Sequence, residues 1–157
     1  MKTLNALTAA ALLTCSSLSL AAEPASSAPY KFIDMPVSEA ASKIGTAPNE
    51  ANNLVVSEAG RRVLLESEGN SIELVDIELR DQPLCKQSSA FDGNAILKSM
   101  SINPGDLELA INNTDNQTYY DHNRKLKIGI QCAYDGAPLN VTFSRKHYMV
   151  LMGMTQP

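Results

Sequence analysis

Residues 125–134 have the sequence KLKIGIQCAY, which is the clearest strand pattern in the chain. Apolar side chains alternate with polar or small ones, as expected for a strand with one buried face. Asp135-Gly136 follows, and a two-residue turn there pairs Ile130 with Val141 across an antiparallel hairpin. In this register Cys132 lies on the apolar face. The sequence therefore predicts a hairpin at the heart of a sheet, with Cys132 facing the core.

A second hairpin is predicted from strands over residues 61–68 and 71–79, which are separated by a Gly-Asn turn signal. If the two strands pair without interruption, apolar residues lie opposite each other near the turn, but farther along the hairpin they lie opposite polar residues. One extra residue at Val75 restores the phase and brings Val63 opposite Ile77. We therefore predict a β-bulge at Val75.

The remaining chain adds one helix and further strand signals. Residues 37–44, between a proline and a glycine, predict a short helix. Residues 103–106 predict a type II turn, 107–111 a strand with Leu107, Leu109 and Ile111 on its apolar face, and 112–118 a polar loop. The predicted fold class is β-rich α+β, with antiparallel hairpins forming a small sheet or sandwich and one short N-terminal helix.

The first 22 residues resemble a bacterial secretory signal peptide: Lys2 precedes an apolar run and small residues end it. Cleavage is expected after Ala21 or Ala22. The apolar run after Lys2 is too short to span a bilayer, and the sequence that follows shows no second apolar run of membrane length. The alternative is a lipoprotein, in which Cys15 of the Leu12–Cys15 segment would be acylated.

The predicted domain organisation is a signal peptide over 1–22, a flexible leader over 23–29 and a single β-rich domain over 30–157. The leader is rich in Ala, Ser and Pro and lacks an apolar period. The expected location is the periplasm or the exterior of the cell.

Cys85 and Cys132 are the two cysteines that remain after export. In an oxidising compartment the two are expected to form a disulfide. For the loop between residues 85 and 132, the loss of chain entropy in the unfolded state predicts a contribution to stability of roughly 4 kcal/mol. A redox thiol is the alternative, but the chain has no Cys-x-x-Cys motif.

The formal charge is −4 at pH 7, and it becomes one unit more negative once Lys2 is removed. An acidic balance argues against a general nucleic-acid binder. The second half of the chain is nevertheless slightly basic.

Extending the 125–134 hairpin outward brings two basic stretches together. Lys125 is then opposite Lys146, and Lys127 is opposite Ser144. We call the resulting cluster the basic corner; it consists of Arg124, Lys125, Lys127, Arg145, Lys146 and His147. The corner is a candidate site for an anion or an acidic partner. The alternative is a solvated strand end that lysines protect from edge pairing.

Catalytic and metal-binding signals are weaker. His122 and His147 could serve a hydrolase, although no nucleophile motif accompanies them. His147 is followed by Met149, Met152 and Met154, whose soft sulfurs could bind Cu(I) in a copper-handling protein. The same methionines also suit a terminal apolar strand. We therefore predict no metal site and no cofactor.

Residues 32–41, FIDMPVSEAA, followed by Asn53–Val56, resemble the start of the short N-terminal domains of secretins and TonB-dependent receptors. The resemblance implies an envelope-associated domain. Those domains continue with a second Leu-rich helix, and residues 80–85 depart from that pattern.

These observations favour an exported, non-catalytic binding or accessory module of the bacterial cell envelope. Its partner would be an envelope or secreted protein, or an anionic surface component. The alternatives are a small secreted hydrolase, a copper-handling periplasmic protein and a secretin- or TonB-receptor-like N-terminal domain.

Overall fold

The computed structural model describes residues 24–86 and 89–154. This part of the chain forms a seven-stranded antiparallel sheet with three α-helices, so the predicted β-rich α+β class is confirmed. The sheet is open, with β1 and β4 as its edges. The predicted signal peptide, including Cys15, lies outside the described residues. None of the described helices is long and apolar enough to cross a membrane.

The elements follow one another in a simple order. They are α1 (Val37–Ile44), β1 (Leu54–Glu58), β2 (Arg61–Glu68), β3 (Ser71–Leu79), α2 (Gly93–Ser99), β4 (Glu108–Asn112), β5 (Asn116–Asp121), β6 (Leu126–Gln131), β7 (Leu139–Ser144) and α3 (Arg145–Leu151). The spatial order of the strands is β1-β2-β3-β7-β6-β5-β4. Two meanders, β1–β3 and β4–β7, are therefore joined where β3 pairs with β7.

The hairpin of β6 and β7 confirms the central prediction. Ile130 pairs with Val141, and both side chains are fully buried. The ladder ends at Gln131, so the prediction that the strand continues to residue 134 is wrong. Cys132 leaves the sheet to bond Cys85, and Tyr134 is consequently 66% exposed.

The hairpin of β2 and β3 has the predicted register over most of its length, with Val63 opposite Ile77. The bulge exists, but it lies at Glu73 rather than at Val75. Ile72 and Val75 are both fully buried, and an extra residue between them is what returns both to the same face.

Helix α1 spans the predicted residues. Gly45 ends it in the left-handed conformation with φ 70°, where its N–H donates to the carbonyl of Ala41. Val37, Ala40 and Ile44 are buried against the sheet, as the apolar spacing predicts.

Three local predictions are wrong. Residues 104–106 form a 3₁₀ turn, because the Asn103 side chain accepts from the N–H of Gly105 and Gly105 needs no positive φ. The expected loop over 112–118 contains the start of β5, whose polar residues are held by pairing on both sides. The chain after Ser144 is a helix rather than a strand, because the Ser144 hydroxyl caps it at the N–H of His147.

The core lies between one face of the sheet and the layer formed by α1, α2 and the chain before α1. Residues 24–29, expected to be a flexible leader, are part of this layer. Ala25 and Ser26 are buried, and the N–H of Ser26 donates to Glu58 at the end of β1. In the described part of the chain, packing therefore begins before Tyr30.

Candidate functional site

The basic corner does not have the predicted geometry. Lys127 does lie opposite Ser144, but β6 begins at Leu126 and β7 ends at Ser144, so the pairing extends no further outward. Arg145 begins α3, and Lys125 occupies a turn with φ 56°. The predicted pairing of Lys125 with Lys146 is therefore wrong. The cause is the Ser144 cap, which turns the chain into a helix where the sequence suggested a longer strand.

Three cations of the basic corner have acidic partners. The Arg124 guanidinium lies 2.7 Å from Asp121, Lys146 lies 2.6 Å from Glu68, and Arg145 contacts Asp34. The hydrogen bond that Arg124 donates to Asp121 raises the pKa of Arg124, and the one that Lys146 donates to Glu68 raises the pKa of Lys146. Arg124 also lies over the ring of Tyr30. Much of the expected positive charge is therefore locally balanced.

Lys125 and Lys127 have no bonded side-chain partner among the described residues, and His147 is exposed. Lys125 and Lys127 therefore leave a small residual positive charge at the corner. Binding of an anionic partner there stays a prediction.

Near the end of β5, His122 bridges an edge strand and a helix. Its Nε2 lies 2.6 Å from the carboxylate of Glu108 on β4, and its Nδ1 lies 2.8 Å from the hydroxyl of Tyr148 on α3. Tyr148 is buried and packs edge-on against Tyr120. Both ring nitrogens are occupied, whereas a general base needs one nitrogen facing its substrate. We call His122, Glu108 and Tyr148 together the His122 brace.

His147 is placed differently. It is exposed on α3, and the nearest capping hydroxyl, that of Ser144, accepts the backbone N–H of His147 rather than contacting its ring. Met149 is buried while His147 is exposed, so the helix directs the two away from each other. The described residues contain no group of three or more His, Cys, Asp or Glu side chains that could hold a metal ion.

Strand β4 is the most exposed element of the sheet, with all five residues exposed. The prediction that Leu109 and Ile111 share a buried face is wrong, because they are 47% and 39% exposed. A bulge at Ala110 sets Leu109 beside Tyr119 on the core side and Ile111 beside Thr118 on the opposite face. The edge therefore presents one apolar side chain on each face.

On the face away from the core, Asp76 and Asn140 form a polar contact between β3 and β7. The Asn140 amide nitrogen donates to Asp76, while its Oδ1 is buried without a partner among the described residues. Burial is the largest cause of a raised pKa for Asp76, and the nearby Glu78 carboxylate adds to it.

The predicted disulfide is present, with the Cα atoms of Cys85 and Cys132 5.6 Å apart. It is supported by two backbone hydrogen bonds of 2.8 Å, from Cys85 N–H to Ala137 and from Gly136 N–H to Cys85. This arrangement fits an extracellular or periplasmic protein.

The fold and these surfaces define a small, disulfide-linked, β-rich α+β protein. Comparison with protein-family models, curated proteins and solved structures finds no match for the chain. Sequence reasoning missed the exposure of β4 and the His122 brace. The sequence offered one signal for the brace, His122 itself, but its partners are 14 and 26 residues away.

Proposed function

We propose that the protein is an exported binding module of the bacterial cell envelope that captures an extended segment of a partner protein along the free edge of β4. The observation that carries this proposal is the complete exposure of β4 at the end of the sheet. An edge strand offers unpaired N–H and C=O groups to which another chain can add as a strand.

The side chains of β4 suit such a partner. Natural edge strands are commonly protected by lysine or proline, and the sequence of β4, ELAIN, contains neither. Because of the bulge at Ala110, Leu109 and Ile111 lie on opposite faces of the sheet. An added strand with alternating apolar residues would then contact an apolar side chain on both of its faces.

The other edge strand, β1, is less open. Leu54 is fully buried, and Glu58 accepts a hydrogen bond from the N-terminal segment at Ser26. The contrast favours β4 as the docking edge.

The His122 brace connects the first residue of β4 to α3. Glu108 is the first residue of β4, and through His122 it is tied to the buried hydroxyl of Tyr148. An edge held in one position loses less conformational entropy when a partner binds. The same brace occupies both nitrogens of His122, which weighs against the hydrolase alternative.

Export is the other part of the proposal. It depends on the signal-peptide pattern of residues 1–22 and on the disulfide, which is characteristic of oxidising compartments. Crude fractionation of cells that express the full chain, followed by mass determination of the processed protein, tests the expected cleavage after Ala21 or Ala22.

The edge is tested by photo-crosslinking in intact cells. A photoreactive side chain at position 111 is compared with one at position 55. Ile111 and Val55 are each 39% exposed, and they belong to the two opposite edge strands. We expect a discrete adduct with one protein from position 111 and none from position 55. Equal adducts from both positions would show that the contact is not specific to β4.

Charge substitutions then separate the edge from the basic corner. Leu109→Lys with Ile111→Lys should reduce recovery of that adduct, detected from a probe at Asn112, by more than tenfold. Val55→Lys should leave it unchanged. The triple substitution Lys125→Ser, Lys127→Ser and Lys146→Ser should also leave it unchanged. If the triple variant alone abolishes the adduct, the basic corner rather than β4 is the docking site.

A further inference from the structure

A cavity of about 330 Å³ lies beside the disulfide, away from β4. It is lined by residues 82–86 and 89–92, the first turns of α2 and the ends of β3 and β7, and it opens to solvent. Its walls are mainly apolar and include Leu79, Leu84, Phe91, Ile96 and Leu139, together with both cysteines. The volume is at the lower end of the range for small-molecule sites, which is roughly 300–1,000 Å³.

Small residues line the open side of the cavity. Ala90 and Ala95 both line the space and both are exposed, so their short side chains leave the apolar wall accessible from solvent. Leu84, at the cavity, is 56% exposed, so an apolar side chain is held in water next to an apolar opening. Such an arrangement is typical of a ligand site.

The charged residues of the lining indicate which head group would fit. Arg61 is bonded to Asp81 at 3.2 Å, and Asp92 accepts the N–H of Ala95 at the start of α2. Lys86 lines the same cavity, and its side chain has no hydrogen-bond or ion-pair partner among the described residues. An apolar wall with a free ammonium group matches an apolar molecule that carries one negative charge.

We propose that this cavity binds a small amphiphile with an aliphatic body and a single carboxylate, with the body against Leu79, Ile96 and Leu139 and the carboxylate at Lys86. The proposal does not depend on β4. It gives the protein a second binding site, for a fatty-acid-like ligand.

The test uses the purified, disulfide-bonded protein and three probes with the same alkyl chain: dodecanoate and dodecyltrimethylammonium below their critical micelle concentrations, and dodecanol below its solubility limit. Calorimetric titration should give saturable binding of one equivalent of dodecanoate. Dodecanol should bind more weakly, and the ammonium compound most weakly. Equal binding of all three, or no saturable binding of dodecanoate, would overturn the proposal.

Variants locate the ligand. Ala95→Phe should fill the cavity and reduce the affinity for dodecanoate and dodecanol at least tenfold. Lys86→Gln should weaken dodecanoate about threefold, as expected for one exposed ion pair, and leave dodecanol unchanged. Lys98→Gln is the matched control, because Lys98 is an exposed lysine of α2 outside the lining. Undiminished binding by Ala95→Phe would overturn the cavity as the site, and equal losses from Lys98→Gln and Lys86→Gln would overturn the head-group assignment. Thermal unfolding of each variant establishes that it is folded.

Discussion

The imidazole Nδ1 of His122 lies 2.8 Å from the hydroxyl of Tyr148, which joins the end of the β5 strand to the last helix. The tyrosine is buried, so its hydroxyl has little access to water and depends on this partner. The two residues are 26 positions apart, and the contact fixes how α3 sits on the sheet.

Tyr148→Phe removes this hydrogen bond while keeping the ring, and we expect a loss of about 1 kcal/mol of unfolding free energy. A urea double-mutant cycle with His122→Ala should give a coupling energy of about 0.5–1.5 kcal/mol. Glu108→Gln is the companion variant, because it alters the other nitrogen's partner and leaves Tyr148 in place. Additive effects of the two substitutions at positions 122 and 148 would contradict a direct bond.

The disulfide between Cys85 and Cys132 should be the largest single contribution to stability. Replacing both cysteines by serine should lower the unfolding free energy by roughly 4 kcal/mol, because the crosslink restricts a long loop in the unfolded chain. Urea unfolding of the double variant measures the loss. Titration of the unreduced wild type with a thiol reagent in denaturant should find no reactive thiol from this pair, and two thiols per molecule would refute the bridge.

Asp76 should make stability depend on pH in the direction opposite to that of a salt-bridged aspartate. Burial raises its pKa above the ordinary value of 3.8, so the folded state holds the proton more tightly than the unfolded state. Its contribution is fully present below pH 3.8 and is lost as the pH rises through the folded pKa.

Asp76→Asn should remove that loss and also offer a donor to the unpartnered Oδ1 of Asn140. Urea unfolding between pH 3.5 and pH 7.5 should show the variant gaining stability over the wild type as the pH rises and then reaching a plateau. A difference that stays constant with pH would contradict the raised pKa.

The turn between β1 and β2 stores backbone strain at Ala59. Ala59 and Gly60 have φ values of 46° and 76°, which is the type I′ pattern that Asn-Gly serves best. Ala59→Asn should therefore stabilise the protein by about 0.5–1 kcal/mol, and Ala59→Val should destabilise it. The midpoint of thermal unfolding separates the two, and a lower midpoint for the asparagine variant would show that the turn has another geometry.

The two hairpins could be predicted because their information is local. Ile128, Ile130 and Val141 alternate with polar residues, and a short turn sets their register. The sequence predicts the bulge two residues too late, because Leu74 and Val75 are both apolar and burial alone shows which one faces the core.

The remaining features depend on contacts that sequence spacing does not encode. Alternation at Leu109 and Ile111 is the same whether the strand lies inside a sheet or at its edge, so the exposure of β4 was not predictable. Lys146 is bonded to Glu68, 78 residues earlier, and such a pairing appears only once the strands are ordered. Ser144 could either end a strand or cap a helix. Because it caps α3, the strand does not continue, and the basic corner does not have its predicted geometry.

The pairing of β3 with β7 also bears on the order in which the chain can fold. Residues 139–144 are the final strand of the sheet in chain order, yet they occupy its middle, next to residues 71–79. During synthesis, β3 has no partner on its β7 side until nearly all of the polypeptide has emerged. Completion of the sheet therefore depends on a contact between strands that are far apart in the chain, and such non-local pairing slows folding.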